Sequence, residues 1–356
     1  MKILTFGELM LRLKTPEHLK ILQADTFEAS YGGAEANVAV SLATLGNDVS
    51  YVTKVPEHQV GQAAINEIRR FGVDTTRVLL GRRPRRYLLF LKREPTSDRR
   101  AWFMTAPTAR SRWQKRRSLT GKNCSRAWIS FISPVSRRPS AARSKRRWRS
   151  LLCSAKRKKF RWYVISTTAE KMWSAKDAQR VMRRLMSYVD VCIANDEDFE
   201  SSLGIPAYDG DISRGIEQIE SYKEGMLEIQ KQFPNCKAVA SVLRNLYTVE
   251  DGDWMGIYLK DGKFYESPVH KVHSFEAVGA GDAFGAGLIH AMAHDFAPQR
   301  TIDFAISASV LKLMIQHDAN VVSEKEIEQI MKQGGQICRD RGNKKIPRVH
   351  TGQQEE

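Results

Sequence analysis

Apolar positions along this chain follow two rhythms. Ile3 to Phe6 and Val49 to Val55 are short apolar runs of strand length. Between them, from near Glu35, Val38, Leu42 and Leu45 recur at helical spacing on an Ala-rich stretch. Leu22 to Ala29 reads as a lid strand outside the main sheet. Gln62 to Phe71 and Ala178 to Met186 carry helical periods, and Val189 to Ala194 reads as a buried strand. Ile212 to Phe233 is a long helical stretch. Ala238 to Leu243, Trp254 to Leu259 and Lys263 to Ser267 read as strands, followed by helices over Gly281 to His294 and Thr301 to Gln316. From Gly335 onward the chain is polar and expected to be loose. The order strand, helix, strand predicts an α/β fold with a parallel sheet covered on both faces.

Composition narrows the class. A length of 356 residues allows one large or two small domains, and an apolar share of 42% is enough for a core. No apolar run reaches membrane-spanning length, and no signal-like segment precedes Met1-Lys2-Ile3, so a cytoplasmic protein with no membrane partner is expected. Cys124, Cys153, Cys192, Cys236 and Cys338 are scattered without CxxC or metal spacing, which predicts structural thiols in a reducing compartment. There is no GxxxxGK[ST] phosphate loop, and the GxGxxxG of Gly279 to Gly285 misses the dinucleotide spacing by one residue.

Charge is unevenly placed. Residues 82–161 hold 27 of the 57 Lys and Arg but only two of the 40 acids, Glu94 and Asp98. The remainder, with 30 basic and 38 acidic residues, is net negative, so the whole surplus of +17 is local. Five of the seven Trp also lie between Trp102 and Trp162, and no helical or strand period persists there. One reading is a basic, aromatic nucleic-acid surface.

Two glycine segments carry the candidate chemistry. Glu276 to Gly287 reads EAVGAGDAFGAG: Gly279, Ala280 and Gly281 can bring backbone N–H groups and a helix N-terminus close to an anion, with the Asp282 carboxylate beside them. A phosphate cradle next to a base is what phosphoryl transfer to a hydroxyl requires, although a capped helix start gives the same pattern. Tyr31 to Gly46 reads YGGAEANVAVSLATLG, with Asn37 in the first turn of its helix. Together the segments resemble the two signatures of the ribokinase-like (PfkB) carbohydrate kinases. The opening MKILTFGELMLRL, the stretch Val189 to Ile205, SVLR at Ser241 to Arg244 and the spacing of Lys312 to Asn320 are similar to the 2-keto-3-deoxygluconate kinase branch. The resemblance covers about residues 1–82 and 170–335.

The intervening span is explained by a shifted reading frame. Tyr163 to Ala169 can be coded TAT GTG ATC TCA ACT ACC GCN, which from its third base reads Cys-Asp-Leu-Asn-Tyr-Arg. That is similar to the DLNYR motif of the same branch. Lys92 to Arg99 likewise gives Lys-Gly-Ala-Asn-Gln-Arg-Pro, and Ala101 to Ala106 gives Val-Val-Tyr-Asp-Arg, all in one frame and in family order. The expectation is a segment out of frame from between Arg82 and Leu91 to near Ala169.

The resemblance implies a three-layer α/β/α sandwich with a mainly parallel central sheet and a small β lid. It implies one kinase domain over residues 1–335, with lid pieces at about 10–30 and 84–115, and a polar tail at 336–356. Asp282 would be the base, and the N–H groups of Gly279, Ala280 and Gly281 would stabilise the transferred phosphoryl group. Gly33, Ala34 and Asn37 would hold the sugar acid. Asn195 and Arg244, with Gly279 and Gly281, would bind ATP, and Asp198 would hold Mg2+ in an N-x-x-E-like motif. An oligomer through the lid and no specific nucleic acid complete the picture. The shift removes the Tyr and Arg expected at the carboxylate end of the sugar, which predicts an inactive chain as written. The alternatives are a ribokinase- or fructokinase-type enzyme, or an inactive kinase-like protein with a nucleic-acid-binding insert.

Overall fold

A computed structural model describes residues 2–16, 19–81, 88–92, 101–105, 127–134, 162–167, 175–194 and 198–334. The main sheet contains β1 (Lys2–Phe6), β4 (Asp48–Val52), β9 (Ala127–Pro134), β10 (Trp162–Thr167), β11 (Val191–Ile193), β12 (Ala238–Leu246), β13 (Asp251–Lys260), β14 (Lys263–Glu266) and β15 (His270–His273). Its order is β14-β13-β12-β11-β10-β9-β1-β4, with β15 also paired to β13. All pairs from β4 to β12 are parallel, and β13 to β15 add an antiparallel edge. The sheet is therefore mainly parallel, as the strand-helix-strand order predicts. A second sheet of four strands forms the lid: β3 (Glu28–Gly32), β2 (Met10–Lys14), β7 (Leu88–Lys92) and β8 (Ala101–Thr105), in that order.

Side-chain alternation shows why both faces are covered. On β12, Ala238, Ala240 and Val242 join one apolar cluster, while Val239 and Leu243 join another. The first cluster is built with α1 (Ala34–Thr44), α5 (Ala280–Ala293) and α6 (Pro298–Leu313). The second is built with α3 (Ala175–Met186) and α4 (Ile219–Gln232). Helix α2 (Gln59–Arg69) buries Ala64, Ile65 and Ile68, and α7 (Glu324–Lys332) closes the described chain.

Several predicted elements divide in the structure. The run Val49 to Val55 splits at Thr53, because β4 pairs with β1 whereas β5 (Lys54–Pro56) pairs with β6 (Leu79–Gly81). Ile212 to Phe233 is helical only from Ile219, preceded by a short turn at Ile216–Gln218. Asp211 accepts from the Ser213 amide at 3.0 Å, and Gly215 abuts the Arg244 carbonyl, so this entry cannot be regular helix. Leu22 to Ala29 becomes a turn at Ile21–Gln23 and the start of β3. The apolar run that begins at Trp128, within the span read as out of frame, supplies β9 between β1 and β10. Apart from β7, β8 and β9, the span 82–161 and the tail from Gly335 lie outside the described residues.

Cys192 and Cys236 are buried free thiols, and burial pushes the Cys236 thiol up to about 12, which fits a structural role. His290 stacks on Phe304 at 5.3 Å and meets Asn47 Nδ2 at 2.9 Å. Burial, then the neighbouring His294, lowers its pKa to about 4, and burial alone does the same to His270. A histidine depressed in the folded state charges first in the unfolded chain. Stability is therefore expected to fall as pH drops from about 6.5 toward about 4, and a melting series across that range checks it. A His290→Phe variant that loses as much stability as the parent would deny His290 its share.

Candidate active site

The two glycine segments meet at the lid side of the sheet. Helix α5 starts at Ala280 because Gly279, its N-cap, takes the left-handed conformation at φ 83°. A side chain there would also collide with the Asp318 carbonyl. The Ala280 amide turns back to the Ala277 carbonyl at 3.3 Å. The amides of Gly281 and Asp282 lie in the first helical turn, where no i−4 carbonyl exists for them. They and the helix dipole form the anion-facing end, so Ala280 contributes less directly than its neighbours.

The second segment delivers Asn37 to the same point. Gly33, at φ 155°, presses against the Glu8 carbonyl and opens α1. Asn37 accepts from the Gly33 amide at 3.4 Å and donates through Nδ2 to Asp282 Oδ2 at 2.8 Å. This bond joins residues 245 positions apart in the chain. Burial raises the Asp282 carboxyl to about 6, against the opposing effects of the Asn37 hydrogen bond and the charge of Lys312. Gly33, Ala34, Asn37, Gly279, Gly281 and Asp282 therefore converge.

Sequence reasoning assigned no role to the charges that surround this point. Arg12, on β2, is 2% exposed. It donates to Asp318 and, through a second nitrogen, to Glu276 Oε1 at 2.9 Å, while Lys14 lies 3.3 Å from Glu276 Oε2. Burial alone would raise Glu276, but Arg12 and Lys14 outweigh it and hold the carboxyl below its usual range. The lid strand is thus clamped to the loop that leads into the anion cradle. The Asp318 carboxylate also lies against Gly32, so one residue abuts both glycine segments. Glu35, 1% exposed, has neither oxygen in a hydrogen bond of ordinary geometry and abuts Gly7. Burial, then the nearby Glu8 and Asp282, raise its pKa well above the ordinary value. The distant sequence positions of these partners hid them; a mid-strand Arg among apolar residues was the only available signal.

The nucleotide-side candidates stand on other elements. Arg244 stands on β12 opposite Trp254. Asp198 is 3% exposed at the start of the turn Phe199–Leu203, beyond β11. Asn195 lies outside the described residues. Among the described residues no group of three or more metal-capable side chains occurs. A single carboxylate such as Asp198 suits Mg2+ that arrives with a nucleotide and keeps its waters and phosphate ligands. Nor, among the described residues, is any helix long and apolar enough to cross a membrane.

Comparison with known proteins agrees with this geometry. The family model for the pfkB family carbohydrate kinases matches residues 1–320. A 2-dehydro-3-deoxygalactonokinase of Haloferax volcanii is 24% identical over 335 residues, covering 94% of this chain and 97% of that protein. The crystal structure of a 2-dehydro-3-deoxygluconokinase from Thermotoga maritima superposes with a TM-score of 0.84 at 33% identity, covering 93% of this chain and 99% of that one. A ribokinase II from E. coli, solved with ATP and Mg2+, shares the fold with a TM-score of 0.70 at 12% identity, covering 93% of this chain and 99% of that one.

Proposed function

The chain belongs to the pfkB family of carbohydrate kinases, and on that premise we propose that it transfers the γ-phosphoryl group of ATP to a hydroxyl of 2-keto-3-deoxygluconate. The Asn37–Asp282 hydrogen bond carries the reading, because it sets a base beside both the anion cradle and the sugar segment. Asp282 takes the proton of the attacking hydroxyl as the phosphoryl group arrives. The amides of Gly279 and Gly281, with the α5 dipole and a lesser share from Ala280, meet the charge that develops on the phosphoryl oxygens. Gly33, Ala34 and Asn37 orient the sugar acid. Arg244 and Asn195 would bind the nucleotide, and Asp198 would hold the Mg2+ that ATP brings with it.

The substrate assignment draws on the named relatives and on the DLNYR- and VVYDR-like patterns in the shifted frame. A keto acid needs a cationic, hydrogen-bonding contact at its carboxylate, and those patterns encode one. The segment at about 82–169 is accordingly proposed to be out of frame, within a single kinase domain spanning residues 1–335. Sequencing the coding DNA around Arg82 and Ala169 tests the frame. Protein expressed with the frame restored is expected to show its highest kcat/KM on 2-keto-3-deoxygluconate when compared with 2-keto-3-deoxygalactonate, ribose and fructose. A higher value on ribose or fructose rejects the sugar-acid assignment.

A further inference from the structure

Lys312 is fully buried near the end of α6, directly behind the anion cradle. Its ammonium donates to the Glu276 carbonyl at 3.3 Å and to the Ile315 carbonyl at 3.1 Å. These carbonyls belong to the loop entering the cradle and to the turn that leads to Asp318. Lys312 Cε lies 3.3 Å from the position a Cβ on Gly279 would occupy, so its stem runs under the residue that starts α5. The amides of Phe275 and Glu276 bond back to the Leu313 carbonyl at 2.8 and 3.2 Å, which fixes the same loop against the same end of α6. A buried ammonium costs several kcal/mol unless its surroundings repay it. Here the loop carbonyls do so, and the charge faces a place where negative charge will develop.

We propose that Lys312 is a positioning residue for phosphoryl transfer: its buried ammonium ties the two loops behind Gly279 together and supplies fixed positive charge beneath Asp282 and the anion cradle. The inference rests on Asp282 being the base. Among the described residues, the charged or titratable groups that act on Asp282 are Lys312 from α6 and Glu35 from α1, with Glu8 beside Glu35, and the pKa of Glu35 is raised by burial. Arg12 and Lys14 on β2 are engaged by Glu276 and Asp318. Lys312 is thus the cation that reaches Asp282, and it lowers the carboxyl that burial raises. Without that charge the base takes up its proton at higher pH, and the cradle loses part of its field.

The test uses the frame-corrected protein, with the pH dependence of kcat/KM for ATP and 2-keto-3-deoxygluconate as readout. Lys312→Met keeps most of the volume and removes the charge. Its acid limb is expected to move up by about one pH unit or more, and kcat to fall about 10-fold or more. KM for the sugar should change by less than about 3-fold, because the ammonium meets the transition state rather than the bound sugar. Lys312→Arg should retain the position of the acid limb. A Lys312→Met enzyme that loses activity with its acid limb unmoved reduces Lys312 to a packing residue and overturns the proposal. If the methionine variant does not fold, Lys312→Ala folded with propylammonium carries the test. Recovery with propylammonium but not with propanol supports it; equal recovery with both, or with neither, overturns it. Asp282→Asn is assayed alongside. If it stays active, the base assignment itself fails; if it is inactive while the Lys312→Met limb is unmoved, only the role of Lys312 fails.

Discussion

Replacing Asp282 with asparagine is expected to lower kcat by about 10²-fold or more while leaving ATP binding largely intact. The loss follows from geometry: the carboxylate lies beside the α5 amides, oriented by Asn37 at 2.8 Å. An amide of the same shape can still accept that hydrogen bond but cannot take a proton. The raised carboxyl adds a pH signature. With a pKa of about 6, the parent enzyme should lose kcat/KM about tenfold per unit below that pH, as the base becomes protonated. The residual activity of Asp282→Asn should lack this limb. Stability separates the effect from unfolding. A carboxyl whose pKa is raised by burial opposes folding when it is ionised, so the neutral variant should melt no lower than the parent at pH 7. An Asp282→Asn enzyme with parental kcat would remove Asp282 from the mechanism and return EAVGAGD to a capped helix start.

The elements legible in the sequence were those whose neighbours in space share one chemistry. Strands β1, β11 and β12 are apolar on both faces because helices cover both, so their runs stand out without any knowledge of pairing. Helices α1 and α5 announce themselves by glycines at their N-termini, where positive φ leaves little choice of residue. The boundaries failed where one run serves two partners. Nothing local says that Thr53 divides the strand paired to β1 from the one paired to β6. Helix α7 carries a readable start, Ser323 with Glu326 closing a capping box at 2.7 Å, yet it is short and buries only Ile327 and Ile330.

Within the site, the residues on the glycine segments were legible because backbone approach to an anion restricts residue type. The supporting charges were not. Arg12 is an ordinary basic residue in sequence, and only the folding of residues 276 and 318 onto β2 makes it the centre of a buried cluster. Lys312 looked like one element of a spacing pattern, and its contact with the Glu276 carbonyl spans 36 positions. Arg244 and Asp198 show the opposite case. They match a motif by position, on β12 and at the turn beyond β11.

The largest expected difference is between the chain as written and the protein of a corrected frame. On the out-of-frame reading, the written chain is expected to be insoluble or partly unfolded and to show no detectable kinase activity. Strands β9 and β10 sit in the middle of the main sheet, flanked by β1 and β11, so their sequence has to satisfy neighbours on both sides. They come from a span in which 27 residues between 82 and 161 are Lys or Arg and two are acidic. Apolar runs such as the one in β9 fit the sheet, but the segments joining them must also supply covering helices. A surplus of about 25 positive charges cannot give those helices a consistent apolar face. Each arginine buried without a partner costs several kcal/mol, against a total stability of about 5–15 kcal/mol. The lost Tyr and Arg of the shifted frame would further leave the sugar carboxylate without its cation. Any nucleic acid bound by the written chain should then be held without sequence preference and released at high salt. Expressing the written chain beside the frame-corrected one, with solubility, cooperative melting and ATP-dependent phosphorylation as readouts, decides the matter. A soluble written chain that melts cooperatively and phosphorylates a sugar acid would overturn both the frame reading and the need for the Tyr and two Arg of the VVYDR and DLNYR patterns.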